Sequence, residues 1–202
     1  MRFARFGTTT LIACVLVLGV ALPAEAATFS ISIVSRTAGF DPAVASHAQG
    51  TTFAWTNNDP AVTHTSTQDS PLALWATGSI SPGVTKSVTV ASAGAYPYHC
   101  SIHPTMTGTV RVPVKVAPAS GSTTTTFTVT MATTAATGNF VYDVQMRVGT
   151  GAWTDYKTGV SGKSLTFTSA TKGTFSFRSR LRNTSVANAT SGWSPRKTIT
   201  VS

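Results

Sequence analysis

The chain has 202 residues, with 15 Lys and Arg against six Asp and Glu, a net charge of +9, four histidines and two cysteines. So few acids and histidines leave no nucleophile–base–acid constellation, which argues against a hydrolase. Threonine, serine, valine, alanine and glycine dominate, and no long segment carries a helical period, which argues against an α-helical fold.

Arg2 and Arg5 precede an apolar run from Leu11 to Leu22, and Ala24-Glu25-Ala26 fits a cleavage site. Residues 1–26 therefore read as a signal peptide, and the exported chain is expected to start at Ala27. Leu11-Ile12-Ala13-Cys14 offers an alternative, a lipobox that would acylate Cys14, but most of the apolar run follows that cysteine. No other segment approaches the ~20 apolar residues of a membrane span. The carboxyl end, Thr198 to Ser202, carries no anchor. The expected location is extracellular or periplasmic. Cleavage leaves Cys100 as the lone thiol in an oxidising space, and metal ligation is an economical account of it.

From residue 27 to 115, short alternating runs predict strands over Thr28–Val34, Thr51–Thr56, Lys86–Val90, Ala95–Cys100 and Gly108–Val112. Within the fourth run, Tyr96, Tyr98 and Cys100 share one face and His99 takes the other. His99 thus reads as a surface or sheet-packing residue. His103, Pro104 and Met106 follow on the loop after the strand. A thiolate, an imidazole and a thioether at i, i+3 and i+6 are soft ligands of the kind that select copper. A second imidazole is available in His64. Zinc is the rival ion for one cysteine and two histidines. The methionine and the greater affinity of such sites for Cu(II) favour copper.

These residues carry a resemblance to the cupredoxins, the plastocyanin-like and amicyanin-like blue-copper proteins. It spans about residues 28–113. Its motifs are Phe53-Ala54-Trp55-Thr56-Asn57-Asn58-Asp59, Thr63-His64-Thr65, Ile80-Ser81-Pro82-Gly83, and Gly94 to Cys100 continuing to Val110. Two residues between Cys100 and His103, and two between His103 and Met106, resemble the short ligand loop of amicyanins. The resemblance implies a Greek-key β-sandwich holding one type 1 copper per chain. His64, Cys100 and His103 would be the strong trigonal ligands and Met106 the long axial one. It also implies one-electron transfer to a redox protein partner through the exposed edge of His103. Many family members carry Asn after the first histidine, where this chain has Thr65. Trp75 stands in a segment that departs from the family's Asp-Ser-Gly, and it reads either as sandwich packing or as part of an apolar patch. Copper enzymes of related fold need further histidines. Only His47 and His99 are left, so the expectation is a carrier and not an enzyme.

Val116-Ala117-Pro118-Ala119-Ser120-Gly121-Ser122 reads as a short linker, here bounded at 116–123. Charge divides there. Residues 27–115 carry four cations against three aspartates, a net of +1, and the remainder carries nine against two, a net of +7. Beyond the linker, strands are predicted over Phe127–Met131, Val141–Val148, Ser164–Thr168, Phe175–Asn183 and Lys197–Val201. Tyr142 to Gln145, Trp153-Thr154, Phe175 to Arg180 and Gly192-Trp193-Ser194-Pro195 resemble fibronectin type III domains, over 124–202. The expected architecture is therefore all-β, two sandwiches in tandem. Arg178, Arg180 and Arg182 share one face of one strand, beside the strand of Arg147. Two readings stand: a patch for an anionic cell-wall or glycan polymer, or a structural ladder with Trp193 between the guanidinium planes, which is the preferred one. An exported chain argues against nucleic acid as a partner.

The leading functional expectation is an exported electron carrier with a His64, Cys100, His103 and Met106 copper site. The alternatives are a copper-binding or sequestering protein with no redox partner, and a wall-associated binding protein in which the first domain is a scaffold.

Overall fold

The computed structural model describes residues 27–69 and 71–202. The expected signal peptide and Cys14 lie outside the described residues. Eight strands build the amino-terminal sandwich: β1 (Thr28–Ser35), β2 (Gly39–Asp41), β3 (Val44–Ser46), β4 (Thr51–Asn57), β5 (Thr67–Gln68), β6 (Thr85–Val90), β7 (Gly94–His99) and β8 (Thr107–Val112). One sheet runs in the order β2-β1-β4-β6 and the other β3-β8-β7-β5. β1 pairs parallel to β4, and β3 parallel to β8. Five connections cross from one sheet to the other: β2–β3, β3–β4 and β6–β7 are short, whereas β4–β5 and β5–β6 are long.

The period of two is visible in β4. Phe53 and Trp55 are fully buried between the sheets. On the opposite face Thr52 and Thr56 pair across to Thr89 and Thr85 of β6, each hydroxyl pair at 2.8 Å. Such cross-strand pairs fix the register of a half-solvated sheet. In β7 the same period buries Tyr96, Tyr98 and then Cys100. Trp55 meets Tyr98 edge-on at 5.4 Å, and Phe40 closes the other side of that ring at 4.8 Å. Gly108 on β8 is required here, because a Cβ at that position would overlap the Tyr98 ring. Trp75 packs inward, 93% buried: its ring lies 5.9 Å from Trp55 and its Nε1 donates to Ser66 Oγ at 3.1 Å.

The second sandwich comprises β9 (Lys115–Ala117), β10 (Ser120–Gly121), β11 (Phe127–Thr130), β12 (Phe140–Val148), β13 (Thr154–Val160), β14 (Ser164–Phe167), β15 (Gly173–Asn183) and β16 (Lys197–Val201). Its sheets run β10-β16-β15-β12-β13 and β14-β11-β9. Phe127, Phe167, Phe175 and Phe177 form the aromatic centre of its core.

Half of the stretch expected to be a linker at 116–123 is sheet. Val116 and Ala117 pair antiparallel with Val129 and Thr128, and Ser120 and Gly121 pair parallel with Thr200 and Val201. The physical reason lies in the backbone: amide groups this close to two sheet edges take ladder partners rather than remain open. The two sandwiches also join directly. Ala95 on β7 exchanges two backbone hydrogen bonds with Gly192, at 2.9 and 2.8 Å. Gln49 donates to Pro113 O and to Thr130 O, at 3.1 and 2.8 Å. β7 thus runs from this seam at Ala95 to Cys100 at the other pole, a span of roughly 17 Å at ~3.3 Å per residue.

Candidate metal centre

Cys100 ends β7 on its buried face, by the alternation that buries Tyr96 and Tyr98. The following loop then folds back. His103 N donates to Cys100 O at 3.1 Å, Met106 N to His103 O at 2.9 Å, and Cys100 N to Met106 O at 3.0 Å. This closed turn sets His103 beside the thiol and buries Met106, which is 2% exposed. His64 arrives from the loop after β4, held by paired backbone bonds to Ile80 at 3.1 and 2.8 Å.

The structure brings His64, Cys100 and His103 together, with one ligand atom of each within 4.8 Å of the others. Cys100 Sγ lies 3.8 Å from His64 Nδ1 and 3.7 Å from His103 Nδ1. An ion bonded to sulfur at ~2.3 Å and to nitrogen at ~2.0 Å, with ~120° between them, separates those atoms by ~3.7 Å. The gap is therefore the size of one first-row ion. Its donors, a sulfur and two imidazole nitrogens with a buried thioether on the same loop, are the soft set that copper favours. The residues present fit copper. His64 and Cys100 are fully buried, whereas His103 is half-buried, so one edge of the cluster reaches solvent.

Thr65 does the work that the sequence comparison left open. Its N–H points at Cys100 Sγ at 3.3 Å, and its hydroxyl oxygen accepts from Ser101 N at 2.8 Å. One residue thus donates toward the sulfur and ties the two ligand loops. His99 faces away, as alternation predicted, and its Nδ1 lies 2.7 Å from Asp69 Oδ1. His47 stacks on Phe29 at 3.8 Å, near the seam.

A further residue belongs to the centre. Asp59 Oδ2 lies 3.3 Å from His64 Nε2, behind the ring. Its Oδ1 accepts from Ala61 N and Val62 N, both at 3.1 Å, while Asn57 Nδ2 holds Val62 O and Ile80 O. The Ala61 amide, then the His64 ring and the Val62 amide, hold the Asp59 carboxyl below its ordinary value, against a raising effect of burial. A carboxylate behind a ligand imidazole fixes its tautomer and raises its donor strength. The sequence signal was Asp59-Pro60, a turn-forming pair five residues before His64. Asp59 ends the Phe53–Asp59 motif, but nothing in its spacing marks the contact with His64.

On the second sandwich the flagged arginines form a stack. Arg147 and Arg178 lie over Trp153 at 4.9 and 4.3 Å, and Arg178 and Arg180 over Trp193 at 5.0 and 4.6 Å. Arg180 and Arg182 both donate to Asp143, which is 2% exposed, at 3.1 and 2.8 Å. Trp153 is the member that sequence reasoning did not place, because it precedes β13, a largely exposed strand with no apolar period.

A family model for the cupredoxin-like domain matches residues 8–112. Among solved structures, a purple cupredoxin from Nitrosopumilus maritimus is 28% identical, aligned over 41% of this chain and 97% of that one, with a TM-score of 0.37. A reduced amicyanin variant is 25% identical, over 45% and 85%, with a TM-score of 0.39. A copper-containing nitrite reductase from Thermus scotoductus is 28% identical, over 48% and 24%, with a TM-score of 0.39. No curated protein matches. The family match takes in just over half of the chain, including His64, Cys100, His103 and Met106, and on it this chain belongs to the cupredoxin-like domain family.

Proposed function

We propose that this protein is an exported type 1 copper protein that carries single electrons between redox partners, with a fibronectin type III-like second sandwich as an accessory module. His64, Cys100, His103 and Met106 would hold one copper per chain. The observation that carries the reading is the cluster of Cys100 Sγ with two imidazole Nδ1 atoms at 3.7 and 3.8 Å. Copper bound there supplies a one-electron couple.

The chain's own residues do the rest. His64 and Cys100 are sealed from water, and Asp59 and Thr65 hold them in place from behind. Ligand groups fixed in advance leave little to rearrange when the charge at the centre changes. The phenol of Tyr98, two residues before Cys100, is pushed up to about 12 by burial and stays neutral. His103 alone opens to solvent, and its neighbour Ile102 is 49% exposed. An imidazole edge rimmed by an apolar side chain suits brief contact with a partner protein. A catalytic second copper is not part of the proposal: His47 and His99 are committed to Phe29 and Asp69, at different places on the sandwich.

Loading the full chain with Cu(II), recording its visible spectrum and measuring its potential tests the proposal. A strong thiolate-to-copper band with a reversible one-electron wave supports it. A loaded protein with the band but no reversible wave points to copper holding without electron transfer.

A further inference from the structure

The arginine face was one expected seat for an anionic polymer. In the structure its cations are engaged: Arg178 and Arg180 lie against tryptophan rings, and Arg180 and Arg182 bind Asp143. A different surface carries free positive charge. An open cleft of about 1200 Å³ lies at the seam between the sandwiches, and its lining includes Lys115, Lys163, Lys197 and His47. No aspartate or glutamate lines it. Among the described residues none of the three lysines forms an ion pair. Between the cations the wall is hydroxylic. Lys115 is in register with Thr130, and Thr130 with Ser164, so β9, β11 and β14 present one polar row across the sheet.

We infer that this cleft binds a segment of an acidic polysaccharide. Its volume exceeds the ~300–1,000 Å³ of small-ligand pockets, and it is open, as a chain entering and leaving requires. Three uncompensated lysines give charge complementarity to repeated carboxylates or phosphate esters. The hydroxyls of Thr130 and Ser164 match sugar hydroxyls. A single-stranded nucleic acid would call for aromatic stacking platforms, and no Trp, Tyr or Phe lines this cleft. The position also has a consequence. The cleft lies at the Ala95 pole of β7 and the His103 edge at the other, so a chain held in the cleft leaves the metal centre free.

The experiment uses the full-length protein without added metal, so its outcome is independent of the copper reading. Labelled polygalacturonate and phosphomannan separate the carboxylate from the phosphate source, with neutral dextran and single-stranded DNA as comparisons. The parent protein is expected to bind one of the two polyanionic probes, and more weakly as salt rises above ~0.15 M, where the Debye length is ~8 Å. Lys115→Gln, Lys163→Gln and Lys197→Gln together should weaken binding at least tenfold. Lys86→Gln, Lys157→Gln and Lys172→Gln together remove the same charge outside the cleft and should change it less than twofold. Equal losses in the two triple variants would reduce the effect to net charge and overturn the proposal. So would failure of the parent to bind either polyanion, or cleft-dependent binding that is tighter for DNA.

Discussion

At the scale of single residues, the proposed centre depends on which atoms stand behind its candidate ligands. Asp59 is placed to fix the His64 tautomer through Nε2. Asp59→Asn keeps the shape but removes the charge. The expected result is a copper affinity lowered about 10- to 100-fold, and a reduction potential raised relative to the parent, because a less basic imidazole stabilises Cu(II) less. Isothermal titration and voltammetry check the two. Thr65→Val removes the acceptor for Ser101 N and should cost about 1–2 kcal/mol of stability, measured by denaturant melt on the metal-free protein. Much of this was legible in the sequence. The Cys100, His103 and Met106 spacing and the alternation through Tyr96 and Tyr98 required no structure. Asp59 was not legible as a partner of His64. A hydrogen bond across a turn depends on how Asn57 and the Ala61 and Val62 amides fold the chain, and spacing alone does not encode that.

At the scale of elements, β12 and β15 are joined by more than their backbone ladder. Asp143 faces Arg180 across the pair, and Arg182 reaches the same carboxylate. Burial works against the Asp143 charge, but Arg182, the Gly159 amide and Arg180 outweigh it and hold the carboxyl below its ordinary value. A carboxyl depressed in the folded state adds stability that is complete above the unfolded value of about 3.9. That stability is lost as the pH falls through the lower folded value. Thermal melts should therefore drop below about pH 4, and Asp143→Asn should flatten that drop. At pH 7 the substitution should cost about 2 kcal/mol, less than a fully buried pair, because both guanidinium groups are about one third exposed. Trp193→Ala removes the ring between Arg178 and Arg180 and should destabilise the second sandwich without moving the copper spectrum. The long central strands of this sandwich were readable from Phe175, Phe177 and Leu181 alternating with arginines. β13 was not, since its side chains are mostly exposed and carry no apolar period.

At the scale of the whole molecule, the two sandwiches meet at a seam of backbone and side-chain hydrogen bonds. Residues 116–123 were read as a linker from Pro118, Ser120 and Gly121, which are turn formers by composition. Half of them pair instead, because β11 and β16 leave edges beside them. A fragment of residues 27–115 should still fold and bind copper, since both sheets of the first sandwich are complete within it. Its melting temperature should lie below that of the full chain, because Ala95 and Gln49 lose their partners Gly192 and Thr130. Calorimetry of both forms checks this. Cys100 and the two imidazoles are proposed to hold copper as a type 1 centre. The most direct test is the visible absorption spectrum of the full chain after loading with one equivalent of Cu(II), beside Cys100→Ser treated identically. The expected result is an intense thiolate-to-copper band in the parent and none in the variant. Stoichiometric copper binding without that band, or the same band in both proteins, would contradict it.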